Sequence, residues 1–264
     1  MNEIIYDEIG GTYNGTRQAD PYLTSRLIDL LQPAPDKLYL DIGCGTGNYT
    51  IALADKGLDL YGVEPSETML QEARSHNQKI TWLQGTAEKI PVVNNLFDGI
   101  IATLTIHHWR DMNKAFSELH RVLKDNGKIV FFTSTPEQME GYWLNHYFPE
   151  MLKKAAGQMP SFTQIEQACM TNGFEIKNTE EYNIQDDLQD RFLYIGKNKP
   201  ELYFDENIRS GISSFAALAN KDEIRSGLSK LHTDLQNGTF KSIKDQYENE
   251  SGDYLFITIE KLRE

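Results

Sequence analysis

Between Lys37 and Ser134 the sequence repeats one arrangement. A short apolar segment typical of a β-strand is followed by a segment whose apolar residues recur at helical spacing. Several strand segments are apolar on both faces, as in a parallel sheet that helices cover on either side. Right-handed crossovers between such strands produce a doubly wound sheet. The strand segments are KLYLDIG, LDLYGVE, KITWLQG, FDGIIATLTI and GKIVFFTS.

The second half of the chain changes rhythm. Residues 136–160 and 186–250 have mostly helical patterns, with capping boxes expected at Ser161 with Gln164 and at Asn220 with Glu223. FEIKNTEEYNI and DYLFITIEKL are typical of a sixth and a seventh strand. We therefore predict a single α/β domain. It has a doubly wound, mostly parallel seven-stranded sheet, Rossmann-like, with a helical cap inserted near the C-terminus.

Charge and cysteine content restrict the kind of partner. The 264 residues include 26 basic and 39 acidic side chains, and the net charge of −13 disfavours nucleic acid and anionic membranes as partners. Cys44 and Cys169 are too few and too far apart for a disulfide framework or a zinc site. No signal peptide and no long apolar run is visible. These features predict a soluble, cytoplasmic protein.

A glycine-rich bend follows the first strand, in the stretch DIGCGTG. Glycine permits positive φ and lets a ligand approach the backbone, and ligands of open parallel sheets bind beyond the carboxyl ends of the strands. Glu64 ends the second strand, 17 residues after Gly47, where a carboxylate can accept both hydroxyls of a ribose. The dinucleotide fingerprint G-x-G-x-x-G requires glycine where Asn48 stands, so a nicotinamide-dependent oxidoreductase matches poorly.

Four motifs, taken in order, resemble those of the class I S-adenosylmethionine-dependent methyltransferases. They are DIGCGTG, then GVEPSETML, then GTAEKIP with FDGIIATLTIHHW, then HRVLKDNGKIVF. The chain is most similar to the small-molecule branch that includes the ubiquinone/menaquinone C-methyltransferases and trans-aconitate methyltransferase. The resemblance covers residues 6–134, about half of the chain, and weakens after that.

The resemblance implies S-adenosyl-L-methionine as cofactor and assigns residues to it. Asp41 and the glycine bend hold the methionine part, Glu64 the ribose, and residues after the second and third strands the adenine. The family usually has Asp where Thr86 stands, so the role of Thr86 stays open. The implied cofactor-binding residues are Tyr13, Arg17, Asp41, Gly43, Cys44, Gly45, Gly47, Glu64, Pro65, Ser66, Met69, Thr86, Ala87, Glu88, Thr103 and Leu104.

The same resemblance divides the chain into two parts. Residues 1–135 form the cofactor-binding part, with residues 1–20 as a mobile lid, and residues 136–264 add the substrate cap and the last two strands. In-line methyl transfer needs alignment and exclusion of water more than a strong acid or base. Candidate catalytic residues are His107, His108 and Tyr13, and candidate substrate-binding residues are His108, Tyr142, Trp143, His146 and Tyr147. No metal is expected, because HHWRD offers too few ligands.

Three alternatives remain beside a methyltransferase that acts on a small molecule. One is an NAD(P)-dependent oxidoreductase, and another is a regulatory protein that binds the cofactor without turnover. A methyltransferase of protein, tRNA or DNA is the third, which the acidic charge and TLTIHHW after the fourth strand disfavour. The acceptor atom and the oligomeric state are not predicted.

Overall fold

The computed structural model describes residues 17–263, and within them seven strands form one sheet. The strands are β1 (Leu38–Ile42), β2 (Asp59–Glu64), β3 (Thr81–Gln84), β4 (Phe97–Thr103), β5 (Leu123–Thr133), β6 (Phe174–Tyr182) and β7 (Tyr254–Lys261). Their spatial order is β3-β2-β1-β4-β5-β7-β6. The first five pair in parallel, and β7 runs antiparallel to both β5 and β6. The predicted doubly wound, mostly parallel seven-stranded sheet is confirmed.

Helices cover the sheet on both faces. They are α1 (Pro21–Leu31), α2 (Asn48–Ala54), α3 (Glu67–His76), α4 (Met112–Val122), α5 (Pro136–Glu140), α6 (Leu144–Tyr147), α7 (Pro149–Ala156), α8 (Phe162–Thr171), α9 (Glu206–Ser210), α10 (Ser213–Ala217), α11 (Lys221–Asn237) and α12 (Phe240–Gln246), with 3-10 turns at Ile106–His108 and Pro200–Phe204. Successive residues of β4 enter opposite cores: Ile100 and Ala102 pack with α4, while Ile101 packs on the face of α1. The double-sided apolar character of the strand follows from this arrangement.

Side-chain caps begin several helices. The Asp20 carboxylate accepts a hydrogen bond from Leu23 N (3.0 Å), and the Ser66 hydroxyl accepts one from Met69 N (3.3 Å). Ser161 and Gln164 form the expected capping box of α8. Glu223 behaves differently. Its Oε1 accepts from Glu150 N and Met151 N, so it caps the first turn of α7 instead of its own helix.

The helical cap, residues 136–160 and 186–250, contacts the sheet through an aromatic cluster and through Asp253. The ring of Tyr254, on β7, lies 5.4 Å from the ring of Phe132 and 4.7 Å from that of Phe192, measured between centroids. The Asp253 carboxylate accepts from Lys197 Nζ (2.7 and 2.8 Å), and also from Ile184 N. Residues of the cap and of the sheet therefore share one hydrophobic core.

Trp82 fills the space beneath the glycine bend. A Cβ at Gly47 would lie 2.5 Å from the Trp82 ring, and one at Gly62 would lie 2.4 Å from it. Gly47 also has φ 82°, which favours glycine. The indole N–H donates to Asn77 O (2.8 Å), so the ring is held in place. Both glycines are explained by the packing of this one side chain.

Gly62→Ala tests this explanation. We expect a loss of about 1–3 kcal/mol in the free energy of unfolding, because the new methyl group overlaps a held ring inside a strand. In a Trp82→Leu background the same substitution is expected to cost less than half as much. Chemical denaturation of the four proteins in the cycle measures the coupling. Equal costs in both backgrounds would contradict the packing argument.

Candidate functional site

A cavity of about 430 Å³ opens at the carboxyl ends of β1, β2 and β4. Its position beside the switch in strand order is where open α/β sheets bind ligands. Most of the residues implied by the sequence resemblance line it. They are Arg17, Asp41, Gly43, Cys44, Gly45, Glu64, Pro65, Ser66, Met69, Thr86, Ala87, Glu88, Thr103, Leu104 and His108. Tyr13 lies outside the described residues, and the lining does not include Gly47, which packs against Trp82.

The bend presents bare backbone to this cavity. Gly43 has φ 72° and Gly45 has φ 55°. A Cβ at Gly43 would lie 1.9 Å from the Thr105 hydroxyl, so glycine is needed there for packing as well as for φ. At Gly45 a Cβ would meet only Met69 Sδ, at 3.8 Å. The peptide at Gly45 is therefore the open part of the bend, where a ligand can come within contact distance of the chain.

Glu64 joins the bend to the helix that follows β2. One carboxylate oxygen accepts from Gly45 N and the other from Ser66 N, each at 3.1 Å. The residue is 7% exposed and lines the cavity. A carboxylate that accepts one hydrogen bond on each oxygen has lone pairs left for further donors. The arrangement can therefore accept hydrogen bonds from a ligand with neighbouring hydroxyl groups.

Asp41 is a buried acid on the floor of the cavity. It is 2% exposed and accepts a hydrogen bond from the Thr50 hydroxyl (2.6 Å). Burial raises the pKa of Asp41 to about 7, and the charge of Glu64 adds to the shift, although the Thr50 hydrogen bond opposes it. Near neutral pH this acid is divided between its two protonation states, and a cationic ligand would favour the ionised one.

The loop of residues 86–88 closes another side of the cavity. Burial alone would raise the pKa of Glu88, but hydrogen bonds from backbone amides and from the Thr86 hydroxyl lower it below its ordinary value. Among these donors are Arg110 N (2.7 Å) and Asp111 N (3.2 Å). Glu88 therefore ties this loop to the one after β4. Thr86 has a structural hydrogen bond whether or not it contacts a base.

A buried ion pair crosses from the N-terminal segment to the cap. The Arg17 guanidinium donates two hydrogen bonds to the Asp190 carboxylate, and the Tyr49 hydroxyl donates a third (3.1 Å). Asp190 is 1% exposed, and all three residues line the cavity. Arg17 is among the residues predicted from the sequence, whereas Asp190 and Tyr49 are not. Asp190 belongs to no motif, and 173 positions separate it from Arg17.

A second cavity, of about 80 Å³, adjoins the first. Arg17, Leu104 and His108 line both cavities and form the boundary between them. Leu104 has φ 51°, an uncommon backbone conformation for leucine, directly before the turn that carries the two histidines. The rest of the lining is mainly apolar and aromatic. It comprises His107, Ser134, Met139, Tyr142, Ala155, Gln158, Met159, Phe192, Leu193, Ile212, Ser213, Ser214 and Tyr254.

The histidine pair is held neutral. The ring centroids of His107 and His108 are 3.8 Å apart. Burial lowers the pKa of His108 to about 4. Burial also lowers the pKa of His107 well below its ordinary value, with smaller effects from His108 and Arg17. Within residues 17–263, Nδ1 of His107 is buried without a hydrogen-bond partner. No carboxylate in the described chain therefore orients this ring by accepting a hydrogen bond from Nδ1.

The predicted substrate-binding aromatics separate into two groups. Tyr142 lines the second cavity, and its hydroxyl donates to Asp253 O. Trp143 is fully buried, with its indole N–H donating to Lys197 O (3.0 Å), and it meets Tyr147 edge to face. Neither cavity lining includes Trp143, His146 or Tyr147. Their surroundings favour a packing role inside the cap.

Clusters of metal-ligating side chains and helices able to span a membrane are both absent from residues 17–263. Nowhere in that part of the chain do three or more His, Cys, Asp or Glu side chains come together to hold a metal ion. None of the helices there has both the length and the apolar character needed to cross a bilayer.

Comparison with known proteins agrees with this site. Residues 40–131 match a family model described as a methyltransferase domain. A solved structure from Anabaena variabilis, provisionally designated a methyltransferase from an antibiotic biosynthesis pathway, is 35% identical. The structural match covers 92% of this chain and 98% of the Anabaena variabilis chain, with a TM-score of 0.81. An uncharacterized methyltransferase of Mycobacterium tuberculosis is 32% identical over 50% of this chain and 54% of its own length. The demethylmenaquinone methyltransferase of Renibacterium salmoninarum is 27% identical over 48% of this chain and 55% of its own length.

The fold and the cavity therefore define a methyltransferase with a doubly wound sheet. The chain belongs to the class I S-adenosylmethionine-dependent methyltransferases. It spans about half the length of the first curated relatives it matches. These relatives give no support to an oxidoreductase or to a protein without turnover.

Asp41→Asn tests the protonation of the buried acid. The folded protein holds the Asp41 proton up to about pH 7, whereas the ordinary pKa is 3.8. Raising the pH across this interval therefore removes stability. Relative to Asp41→Asn, the wild-type free energy of unfolding is expected to fall between about pH 4 and 7, by at most about 4 kcal/mol, and then level off. Denaturant unfolding across pH measures this. Asp59→Asn, at an exposed site on β2, is the control. Parallel curves of unfolding free energy against pH for wild type and Asp41→Asn would contradict the prediction.

The histidine pair gives a spectroscopic prediction. Because burial lowers both pKa values, we expect the NMR signals of His107 and His108 to remain those of neutral imidazole from pH 9 to about 5.5. His108 should then titrate near pH 4. Loss of signals in His107→Asn and His108→Asn assigns the resonances. A midpoint between pH 6 and 7 for either ring would show that the site does not suppress its charge.

Proposed function

We propose that the protein transfers a methyl group from S-adenosyl-L-methionine to a small-molecule acceptor by in-line displacement. The observation that carries this proposal is the pairing of Glu64 with the open peptide of Gly45 at the mouth of β1 and β2. A carboxylate beside bare backbone suits a ribose next to an amino-acid chain. When bound, the cofactor supplies an electrophilic methyl group on a sulfonium centre.

The residues around the first cavity fit the two ends of this cofactor. Glu64 would hold the ribose hydroxyls, while Pro65, Ser66 and Met69 would line the adenine together with the loop of residues 86–88. Asp41, the bend and Arg17 would surround the methionine part, to which we also assign Tyr13. Thr103 has a buried hydroxyl without a partner in the described chain, and it lies with Leu104 at the end of β4. We place the sulfonium beside these two residues.

We place the acceptor in the second cavity, because Leu104 and His108 line both cavities and an acceptor there adjoins the methyl group. Arg17 is the only residue in its described lining with a full charge at neutral pH, and Asp190 already pairs with it. An ionised acceptor group would lose its hydration there without a compensating charge. The part of the proposed acceptor that lies in the second cavity is therefore uncharged and largely apolar. The quinone ring for which the Renibacterium salmoninarum relative is named has the same character.

Alignment and exclusion of water are the main contributions we assign to the protein. Orientation of two reactants can supply on the order of 7–11 kcal/mol of the barrier. His107 or His108 is already deprotonated at neutral pH and would act as base only for an acceptor that must lose a proton. Their low pKa values suit an acceptor whose proton is acidic or which has none to lose.

We infer a cytoplasmic location from the chemistry of the thiols. Cys44 and Cys169 are both free, and burial raises the pKa of each, so neither is poised for oxidation. The acidic composition, with a net charge of −13, supports a small-molecule substrate rather than nucleic acid.

Calorimetry with S-adenosylhomocysteine, NAD and NADP tests the cofactor assignment. We expect S-adenosylhomocysteine alone to bind. Glu64→Ala should weaken it by about 1–3 kcal/mol, roughly 5- to 150-fold, because the ribose hydrogen bonds are lost. Glu166→Gln, an exposed acid on α8, is the control and should bind as wild type does.

Two outcomes would contradict the assignment. An unchanged dissociation constant in Glu64→Ala would remove that residue from the site. Binding of NAD or NADP with no response to S-adenosylhomocysteine would remove the methyltransferase proposal itself. Release of S-adenosylhomocysteine from S-adenosyl-L-methionine across an acceptor panel then distinguishes turnover from binding alone.

A further inference from the structure

The ion pair of Arg17 and Asp190 is placed where a ligand meets both charges. Both side chains line the larger cavity, and Asp190 is 1% exposed while Arg17 is 15% exposed. A buried charge without a partner is strongly unfavourable, so the two residues stabilise each other in this position. Together they present a positive and a negative group side by side, at the end of the cavity nearest the cap.

The amino-acid end of S-adenosyl-L-methionine carries the same two charges, an α-carboxylate and an α-ammonium group. A neutral pair of fixed charges recognises such a zwitterion without adding net charge to the cavity. We propose that Asp190, carried by the cap, binds the α-ammonium group of the cofactor beside Arg17, which faces the carboxylate. This assignment rests on the proposed function and adds a cofactor ligand from outside the glycine bend.

The Asp190 carboxylate has room for this contact. Oδ1 accepts from Arg17 Nε, and Oδ2 accepts from Arg17 (3.0 Å) and from the Tyr49 hydroxyl (3.1 Å). A carboxylate offers about four lone-pair sites, so one further donor can be accepted. Tyr49 also fixes the orientation of the group, because its hydroxyl lies 3.4 Å from Asp20 N at the start of α1.

Asp41 is the rival acid for the ammonium group. It lines the same cavity, but its buried carboxylate is bonded to Thr50 and is only partly ionised near neutral pH. Asp190 instead adjoins the Arg17 guanidinium, and both side chains line the cavity. The paired acid therefore presents a negative group beside a positive one, as a zwitterion requires.

Binding at Asp190 would also fix a wall of the acceptor cavity. Phe192 and Leu193 follow Asp190 by two and three residues, and both line the second cavity. The same segment is held from the other side, since Asp20 Oδ2 accepts from Gln189 N (2.9 Å). A cofactor that engages Asp190 thus orders the segment that shapes the acceptor site.

A cycle between ligand and protein tests the contact. The ligands are S-adenosylhomocysteine and its deamino analogue, in which hydrogen replaces the α-amino group and the carboxylate is retained. The proteins are the wild type, Asp190→Asn, Asp41→Asn for the rival acid, and the control Asp187→Asn, an exposed acid in the same segment. Calorimetry on the full chain gives each dissociation constant. We expect the amino group to improve wild-type and Asp187→Asn binding at least 10-fold, and Asp190→Asn binding less than threefold.

The cycle separates recognition from a purely structural role. If Asp190 only held Arg17 in place, Asp190→Asn would weaken both ligands, and the amino group would keep its wild-type effect, which overturns the proposal. An amino-group effect that disappears in Asp41→Asn but not in Asp190→Asn would also overturn it and assign the contact to Asp41. If wild type does not bind S-adenosylhomocysteine, the proposed function fails, which is a different result from a failed cycle.

Folding of the variant is checked by thermal unfolding. If Asp190→Asn does not fold, Asp190→Glu takes its place, because it keeps the charge and moves the carboxylate by one methylene group. The amino-group effect should then drop at least threefold from its wild-type value. An effect equal to that of wild type in Asp190→Glu would count against a directed contact.

Discussion

The bridge that Glu64 makes between two backbone amides determines the geometry of the site. Gly45 N belongs to the bend after β1, and Ser66 N belongs to the start of α3, so one carboxylate fixes two loops that meet at neighbouring strand ends. Parallel pairing of β1 with β2 makes this possible, since their carboxyl ends lie at the same edge. The acid is thus part of the scaffold before it meets any ligand, and its alignment needs little reorganisation on binding.

The other acids that line the cavity are stabilised in different ways, and the difference matters for chemistry. Asp41 has one neutral hydroxyl partner and a raised pKa, whereas Asp190 has a guanidinium and a phenol as donors. Glu88 is held by backbone amides of a neighbouring loop. The proposed cofactor has positive charge at the sulfonium and the ammonium group, and a cavity lined by several acids suits such a ligand.

The sequence predicted those parts of the site that are encoded within a few residues. The positive φ of Gly43 and Gly45 requires glycine, and Glu64 follows from its place at a strand end, so both are visible in a short motif. Gly47 belonged to the same motif, yet its reason is the ring of Trp82, 35 positions away. Asp190 was missed because its partner lies 173 positions distant and its neighbours show no pattern. The helical pattern of residues 136–160 correctly indicated helices, but it could not show whether Trp143 lies in a cavity wall or in the interior of the cap.

Contacts between segments that are distant in sequence join residues 17–20 to the cap. Residues 17–20 meet residues 189–190 through Arg17, Gln18 and Asp20, and the chain then continues directly into the wall of the second cavity. The segments to which we assign the amino-acid end of the cofactor and the segment that lines the second cavity are therefore one connected unit. If the cofactor binds one arrangement of that unit more tightly, it stabilises the corresponding shape of the second cavity by the same free energy. The two effects are equal because binding at coupled sites is reciprocal. The second cavity, to which we assign the acceptor, measures about 80 Å³ beside the 430 Å³ of its neighbour, and in so small a site such a bias would select among acceptors.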